Sequence, residues 1–340
     1  MESYTSFYFP NVSTVVTLTE EDFDDRIFHF LHVFNITIYS IMFILGTVGN
    51  GLVIWIIGFK LEKTATLIWF LNLSIADFCF CLFIPFSITE WALPHYWPFG
   101  QIMCKTWAFN VQLYLSASVL FLMIISVDRC ICVLYPIWSK IHRTSRSASI
   151  ISVIIWILSV ALSSPYIVFY DHVEYGQLSY CSSTFGVWIN ETTFDEFVSM
   201  FLIPFSIILI SYGLIAFQVR KRRRISGSGR TLKIIFTVVI CFFLCWFLFH
   251  ILHLIASVGI DIAFPCNVIL SNIAYCLVFF NSCFNPIIYV FMGQDFKKNL
   301  RKSVPFFLEN TFRESNDPPE TLNSYVLKTE SMALSNLINA

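Results

Sequence analysis

The chain has 340 residues, a formal net charge of −1, and a composition that is 57% hydrophobic and only 13% charged. About one quarter of the residues in soluble globular domains are charged, so this composition excludes an ordinary soluble protein. The sequence also lacks a phosphate-binding loop, a zinc-type pairing of Cys or His, and a Ser-His-Asp set. We therefore expect a protein that is not an enzyme, and we expect no nucleic-acid partner.

Seven long apolar stretches dominate the sequence. A helix that crosses a bilayer needs about 20 mostly apolar residues, and irregular backbone cannot face lipid. The predicted fold class is therefore an all-α membrane protein, a bundle of seven transmembrane helices. The predicted spans are approximately 28–59, 66–93, 101–134, 146–170, 196–219, 231–257 and 267–292.

Basic residues set the orientation, because Lys and Arg favour the cytoplasmic side of a membrane. With the N-terminus outside, only Arg26 and Lys105 lie outside, and the other nineteen of the 21 basic residues lie inside. The sequence therefore predicts a multi-pass protein of the plasma membrane with an extracellular N-terminus. The first 25 residues show no pattern of a cleaved signal peptide, so the first span is expected to direct insertion.

Three regions follow from this topology: an extracellular acidic segment over 1–27, a membrane domain over 28–303, and a cytoplasmic tail over 304–340. After the seventh span, Phe296 and Leu300 are four residues apart with bases between them. This pattern predicts a short amphipathic eighth helix on the inner lipid surface. The tail is polar and is expected to be disordered, and phosphorylation of its Ser and Thr residues would make it a docking strip.

Four Asn-x-Ser/Thr sequences differ in their predicted depth. Asn11 and Asn190 lie in outer segments, where glycosylation is expected. Asn35 lies near the start of the first span, and the sequence leaves its depth open. Asn72 lies within the second span, where we interpret the match as chance.

Cysteine positions predict one disulfide bond. Most of the 11 cysteines lie within spans, where they are expected to pack as small apolar residues. Cys104 stands at the outer start of the third span, and Cys181 lies in the loop between the fourth and fifth. Both face an oxidising compartment, so we predict that they form a bridge across the outer mouth of the bundle.

The outer face is strongly acidic, with thirteen acids against two bases. An acidic mouth concentrates cationic ligands, which favours a cationic peptide or protein as the extracellular partner. The alternative is that these acidic residues do not bind a ligand, and that the outer face is acidic only because the basic residues are retained on the inner side.

Asp77 lies in the middle of the second span, and an ionisable residue at such a depth is a functional candidate. Polar residues on other spans that could face it are Asn50, Ser118, Asn281 and Asn285. Oxygen ligands of this kind suit a small cation such as sodium. A protonated carboxyl, or a packing network without an ion, is the alternative.

Two further motifs mark the cytoplasmic ends of spans. Asp128 and Arg129 close the third span, where the arginine either exchanges partners as a switch or extends towards the membrane surface. The seventh span ends in Asn285-Pro286-Ile-Ile-Tyr289. Pro286 removes a backbone hydrogen bond, and Asn285 is predicted to satisfy the freed carbonyl.

These motifs occur in a fixed order, one set per span, and together they resemble the class A (rhodopsin-like) G-protein-coupled receptors over residues 28–303. The set comprises Gly49-Asn50, Leu73-Ser-Ile-Ala-Asp77, Cys104, Asp128-Arg129-Cys130, Trp156, Pro204 and Tyr212, Cys245-Trp246, and Asn285-Pro-Ile-Ile-Tyr289. A narrower resemblance, to chemoattractant receptors and above all the formyl-peptide receptor group, rests on residues 128–138, His142-Arg143-Thr144, Trp97-Pro-Phe-Gly100 and residues 280–296.

The resemblance implies a role for each matched residue. Asp77, Ser118, Asn281 and Asn285 would form a sodium site, and Trp246 would lie beneath the ligand. Arg129, Tyr212 and Tyr289 would rearrange to admit a G protein of the inhibitory class. Arrestin and receptor kinases are expected as further partners.

The chain departs from the family pattern at three places. Cys130 stands in place of the commoner tyrosine, which is usual in the chemoattractant group. Leu248 stands where the sixth span normally has a proline, so its hinge is expected to be weaker. The inner tail has no cysteine, so palmitoylation is not expected.

The pocket residues indicate the type of ligand. Formyl-peptide receptors have an acid in the third span and arginines in the fifth, and Gln112, Thr192 and Glu196 stand at those places here. An acidic, aromatic mouth instead favours a cationic peptide or small basic protein. The predicted pocket residues are Trp91, Gln112, Glu196, Trp246 and His253.

The function predicted from the sequence is a chemoattractant-type cell-surface receptor that signals through a G protein. One alternative is a decoy receptor that recruits arrestin without G-protein signalling, which Leu248 favours and the intact Asp128-Arg129 disfavours. A receptor for a lipid mediator is a second alternative. A transporter is disfavoured because internal repeats and a charged pathway are missing from the sequence.

Overall fold

The computed structural model describes residues 21–93, 96–176, 178–183, 193–222, 229–260 and 262–292. The predicted glycosylation sites Asn11 and Asn190, the eighth helix and the cytoplasmic tail lie outside these residues.

Seven helical segments are long and apolar enough to cross a membrane, which confirms the predicted spans. Lipid offers no hydrogen bonds, so each segment satisfies its backbone groups internally as a helix. Large apolar side chains such as Ile44 and Val48 are more than half exposed and suit contact with acyl chains. The spans are Phe28–Phe59, Ala65–Ala92, Gly100–Leu134, Ser145–Phe169, Thr193–Gln218, Val239–Ser257 and Cys266–Pro286.

Individual helices are bounded by local capping residues. Thr64 and Thr144 begin the second and fourth spans, and each hydroxyl accepts a hydrogen bond from a backbone N–H three residues later. The helices are Glu21–Phe59 (α1), Ala65–Cys81 (α2), Ile84–Ala92 (α3), Gly100–Leu134 (α4), Pro136–His142 (α5), Ser145–Ser163 (α6), Tyr166–Phe169 (α7), Ile203–Arg222 (α8), Gly229–Ser257 (α9) and Phe264–Met292 (α10).

Prolines interrupt three of the spans on their outer halves. The second span is divided before Pro85, and the fourth is divided at Pro165, where the Ser164 hydroxyl donates to the Ala161 carbonyl that Pro165 leaves free. The fifth span passes through a π-helical turn at Phe197–Leu202, directly before Pro204. A break of this kind changes neither the length nor the hydropathy of an apolar stretch. The predicted spans therefore did not show where the helices are interrupted.

The outer loop between the fourth and fifth spans contains a β-hairpin, which the all-α prediction omits. Strand β1 (Tyr170–Tyr175) pairs in antiparallel register with β2 (Leu178–Ser183). Gly176 takes a φ of 63° at the turn, a conformation that costs glycine little. The hairpin lies over the pocket side of the third span.

The predicted disulfide bond between Cys104 and Cys181 is present, with the two Cα atoms 5.4 Å apart. It ties β2 to the outer end of α4. A second tie comes from Trp97, whose backbone N–H lies 3.1 Å from the Ser179 carbonyl oxygen. Strand β2 is therefore tied to its surroundings at two residues, Ser179 and Cys181.

The contacts of Asn35 and Asn72 show what the two sequons within spans do in the fold. Asn35 is fully buried and donates to Asn272 Oδ1 across 2.6 Å, so it is inaccessible to a glycosyl carrier. Asn72 accepts a hydrogen bond from the indole of Trp156 and joins the second span to the fourth. Both asparagines are therefore structural.

We expect removal of the Cys104–Cys181 bridge to loosen the hairpin. Cys104→Ser, Cys181→Ser and the double variant should each lower the thermal midpoint by the same amount, because one bond is lost in each case. A disulfide is worth about 2–4 kcal/mol in soluble proteins. Thermal unfolding of the purified receptor measures this, and a double variant much less stable than either single variant would contradict it.

Candidate functional site

Glu196, at the outer end of the fifth span, is the centre of an acidic pocket. The Tyr166 hydroxyl donates to Glu196 Oε2 across 2.5 Å, and the Gln112 side chain is a second hydrogen-bond partner. These partners come from the fourth and third spans. The break at Pro165 sets the start of α7 and hence the position of Tyr166, while Gln112 is buried within α4.

A second carboxylate, Glu90, belongs to the same pocket. The charges of Glu90 and Glu196 both act on Tyr170 at the start of β1 and on Tyr275 of the seventh span. Burial, together with these charges, raises the pKa of Tyr170 to about 12, so it is a neutral donor at physiological pH.

The pocket holds two carboxyl groups, those of Glu90 and Glu196. Within the described part of the chain, neither Glu90 nor Glu196 makes a salt bridge. Lys105 lies near the outer end of α4. Its Nζ is 3.8 Å from Asp171 Oδ2, so this base is already paired. A carboxylate pair without a basic partner favours a cationic group on the ligand.

Aromatic rings form the inner side of the pocket. Trp246 is almost fully buried and lies 5.8 Å from Tyr114, measured between ring centroids. His253 packs on Phe249 with 4.1 Å between the ring centroids. Trp91 is half-buried at the outer end of α3, one residue after Glu90.

Below these rings, Asp77 lies in a polar cluster that reaches four spans. Asn285 donates to Asp77 Oδ2 across 2.8 Å, and Asn281 donates to the Tyr114 hydroxyl across 2.6 Å. Asp77, Asn281 and Asn285 are all at most 3% exposed. The structure thus brings together the predicted network residues of the second and seventh spans.

The unused oxygens of this cluster fit a small cation. Asp77 Oδ1, Ser118 Oγ, Ser74 Oγ and Asn50 Oδ1 are buried and have no hydrogen-bond partner among the described residues. Hard oxygen ligands of this kind are what sodium requires, and an unpaired buried carboxylate oxygen is otherwise costly.

Asn50, rather than Asn285, satisfies the carbonyl freed by Pro286. The N–H missing at Pro286 would have bonded to the Ser282 carbonyl four residues earlier. Asn50 Nδ2 donates to that carbonyl across 2.8 Å, whereas Asn285 is engaged with Asp77. The prediction for Asn285 was therefore wrong, because that side chain points to the second span. The Tyr289 side chain lies outside the described residues.

At the cytoplasmic end of the third span, Asp128 is shared by two arginines. Its Oδ2 lies 3.2 Å from Arg129 Nη2, and Arg143 binds both oxygens at 2.7 and 2.9 Å. Both arginines also donate to the Thr66 hydroxyl at the start of α2. Burial lowers the pKa of Arg143, but the hydrogen bonds and charge of Asp128 outweigh it, so the pKa is raised.

Tyr212 packs nearby against a small apolar cluster of Cys130, Val133 and Ile215. It lies close to Ser126 on the same third span that carries Arg129. Arg129 is thus held towards Asp128 and Thr66, and Tyr212 is held against the third span. The exchange of partners by Arg129 stays a prediction.

Comparison with known proteins gives the family. The family described as 7 transmembrane receptor (rhodopsin family) matches residues 49–289. The chain belongs to this family. It is 36% identical to mouse Formyl peptide receptor 2 over 98% of both chains, and 37% identical to human N-formyl peptide receptor 2 over 91% of this chain and 93% of that one.

The fMet-Leu-Phe receptor of Pongo pygmaeus is 36% identical over 90% of this chain and 94% of its own length. The chain is therefore a non-enzymatic receptor of the chemoattractant type in the plasma membrane, with a ligand and a G protein as partners. The expected class, fold and location are confirmed.

Several site residues escaped the sequence reasoning. Glu90 counted only as one of the outer acids, because nothing in its neighbourhood showed that it lies close to Tyr170 and Tyr275. Tyr166 and Tyr170 depend on the break at Pro165, and Tyr275 has no motif around it. The sequence singled out Arg143 only as part of the motif His142-Arg143-Thr144. That motif does not indicate that Arg143 pairs with Asp128.

We expect Arg143→Gln to release α5, because the short helix is held to the third span by the Arg143–Asp128 pair. Amide hydrogen exchange over residues 136–143 should accelerate about tenfold or more, since a charge-assisted pair contributes more than 1 kcal/mol. Lys140→Gln, at an exposed position of the same helix, is the matched control. Equal exchange in both variants would contradict the assigned contact.

Proposed function

We propose that this chain is a receptor for a cationic peptide or small basic protein, and that it signals through a G protein of the inhibitory class. The observation that carries the proposal is the pair Glu90 and Glu196, which lies among tyrosines without a basic partner in the described residues. A ligand guanidinium or ammonium group would complete that charge balance.

The names of the relatives record formyl peptides as their ligands. This chain shares their chemoattractant family, so a peptide is the expected ligand class. Its pocket, however, presents Gln112 bonded to Glu196 in place of an acid and arginines. We infer that the ligand of this chain places a cationic group in the region where those receptors accommodate an anionic group.

The contacts below the pocket suggest how ligand binding reaches the inner face. Trp246 contacts Tyr114, Tyr114 accepts a hydrogen bond from Asn281, and Asn285 in the same α10 holds Asp77. A shift of Trp246 would disturb the seventh span through these contacts. Release of Arg129 from Asp128 would then open the site for the G protein.

We also propose that sodium binds at Asp77 in the inactive receptor. The unpaired oxygens of Asp77, Ser118 and Asn50 support this. Phosphorylation of the tail, followed by arrestin binding, is proposed on the Ser and Thr content of residues 304–340.

The ligand proposal predicts that Glu196→Gln and Glu90→Gln weaken response to basic peptides. G-protein dissociation should be measured in cells against pairs of peptides that contain either arginine or neutral citrulline. Loss of a charged hydrogen bond costs about 1.5–3 kcal/mol, so each variant should lower potency by about ten- to hundredfold for arginine peptides only. Pertussis toxin and Arg129→Ala should each abolish the signal.

Glu174→Gln is the matched control. Glu174 is an acid of the outer hairpin, but its side chain is 72% exposed. Unchanged potency in Glu90→Gln and Glu196→Gln, at equal surface expression, would reject the acidic pocket. A response to formyl peptides that survives both substitutions would favour the ligand of the relatives instead.

The sodium proposal predicts a salt-specific stabilisation. The purified receptor should unfold at a higher temperature in sodium chloride than in N-methylglucamine chloride. The stabilisation should be about 1.4 kcal/mol when sodium is present at ten times its Kd. Asp77→Asn should abolish the difference, and Ser118→Ala should reduce it. An identical difference in wild type and Asp77→Asn would exclude this site.

A further inference from the structure

Two thiols from different spans meet in the interior of the bundle. Cys81, at the end of α2, is completely buried, and Cys283 of α10 is 3% exposed. The two side chains lie next to one another. They are free thiols in the structure.

A glycine of the first span makes room for this pair. A Cβ atom at Gly46 would lie 2.4 Å from Cys81 Sγ and 3.1 Å from Cys283 Sγ, so both sulfur atoms border the same point. Cys81 Sγ also lies 3.4 Å from Ser282 Oγ, and Cys283 Sγ lies 3.1 Å from the Met42 carbonyl oxygen. The pair is therefore enclosed by residues of the first, second and seventh spans.

The pair lies beside the polar cluster. Cys81 follows Asp77 by four residues, about one helical turn, and Cys283 precedes Asn285 by two. A covalent bond between the thiols would fix the seventh span against the second next to the Asp77–Asn285 hydrogen bond. It would also fix the segment directly before the kink at Pro286.

We propose that Cys81 and Cys283 form an oxidisable dithiol site, at which a peroxide produces a disulfide that joins the seventh span to the second. One thiol attacks the O–O bond and becomes a sulfenic acid, with release of one water. The second thiol displaces the hydroxyl of that sulfenic acid as a second water, and the S–S bond forms. Two thiols lose two electrons in total, and the peroxide accepts them.

Burial and proximity have opposite effects on this reaction. Burial slows the first step, because thiol oxidation follows exposure. Proximity of the two thiols favours the second step, because the sulfenic acid forms close to its resolving thiol. A small neutral oxidant such as hydrogen peroxide is the class of reagent that such an enclosed site admits.

The test uses the full-length receptor in lipid nanodiscs, treated with hydrogen peroxide. Free thiols are then alkylated under denaturing conditions, and the peptides are mapped by mass spectrometry. We expect a linked Cys81–Cys283 peptide, in addition to Cys104–Cys181, and a higher thermal midpoint. Cys81→Ser and Cys283→Ser should lose both effects. Cys79→Ser, two residues away on the same helix and half-buried, should retain both.

The effect on signalling rests on the proposed function and is measured separately, as nucleotide exchange on an added G protein. We expect oxidation to lower agonist-stimulated exchange severalfold in wild type and Cys79→Ser, but not in Cys81→Ser. Full alkylation of both thiols after oxidation would overturn the site, whatever the ligand proves to be. A linked peptide with unchanged thermal midpoint and unchanged exchange would overturn the claim that the bond stabilises the bundle and restrains signalling.

Discussion

The absence of water in the bilayer is the constraint on which the rest of the structure depends. Every backbone polar group in a span must find its partner inside the protein, and a proline breaks that rule locally. The breaks at Pro85 and Pro165 and the π-helical turn before Pro204 all lie on the outer side. They set the positions of Glu90, Tyr166 and Glu196, so the ligand pocket is built where the helices depart from regularity.

The same constraint shapes the buried interior. Pro286 frees a carbonyl, and Asn50 of a neighbouring span satisfies it. Asn285 is thereby left to bind Asp77, and the first, second and seventh spans become joined through polar groups. Because an unpaired polar group is costly in this medium, each of these contacts resists a shift of one span relative to the others.

Sequence reasoning reached the spans, the orientation, the disulfide and the polar cluster because each has a local signal. Length and hydropathy identify a span, Lys and Arg mark its inner end, and Asp77 is conspicuous among apolar residues. The pocket was reached only in part. Glu196 and Gln112 were predicted from the sequence. Glu90, Tyr170 and Tyr275 belong to the same pocket but lie on three different elements, and no local sequence pattern indicates that they come together. The hairpin and the role of Asn50 likewise depend on tertiary contacts.

The central claim is that Glu196 binds a cation on the ligand, and a double-mutant cycle tests it most directly. The affinity of the most potent arginine peptide and of its citrulline analogue should be measured on purified wild type and Glu196→Gln. If the two groups interact, their effects are not additive, and the coupling energy should be about 1.5–3 kcal/mol. Effects that add to within about 0.5 kcal/mol would show that Glu196 and the ligand cation do not meet.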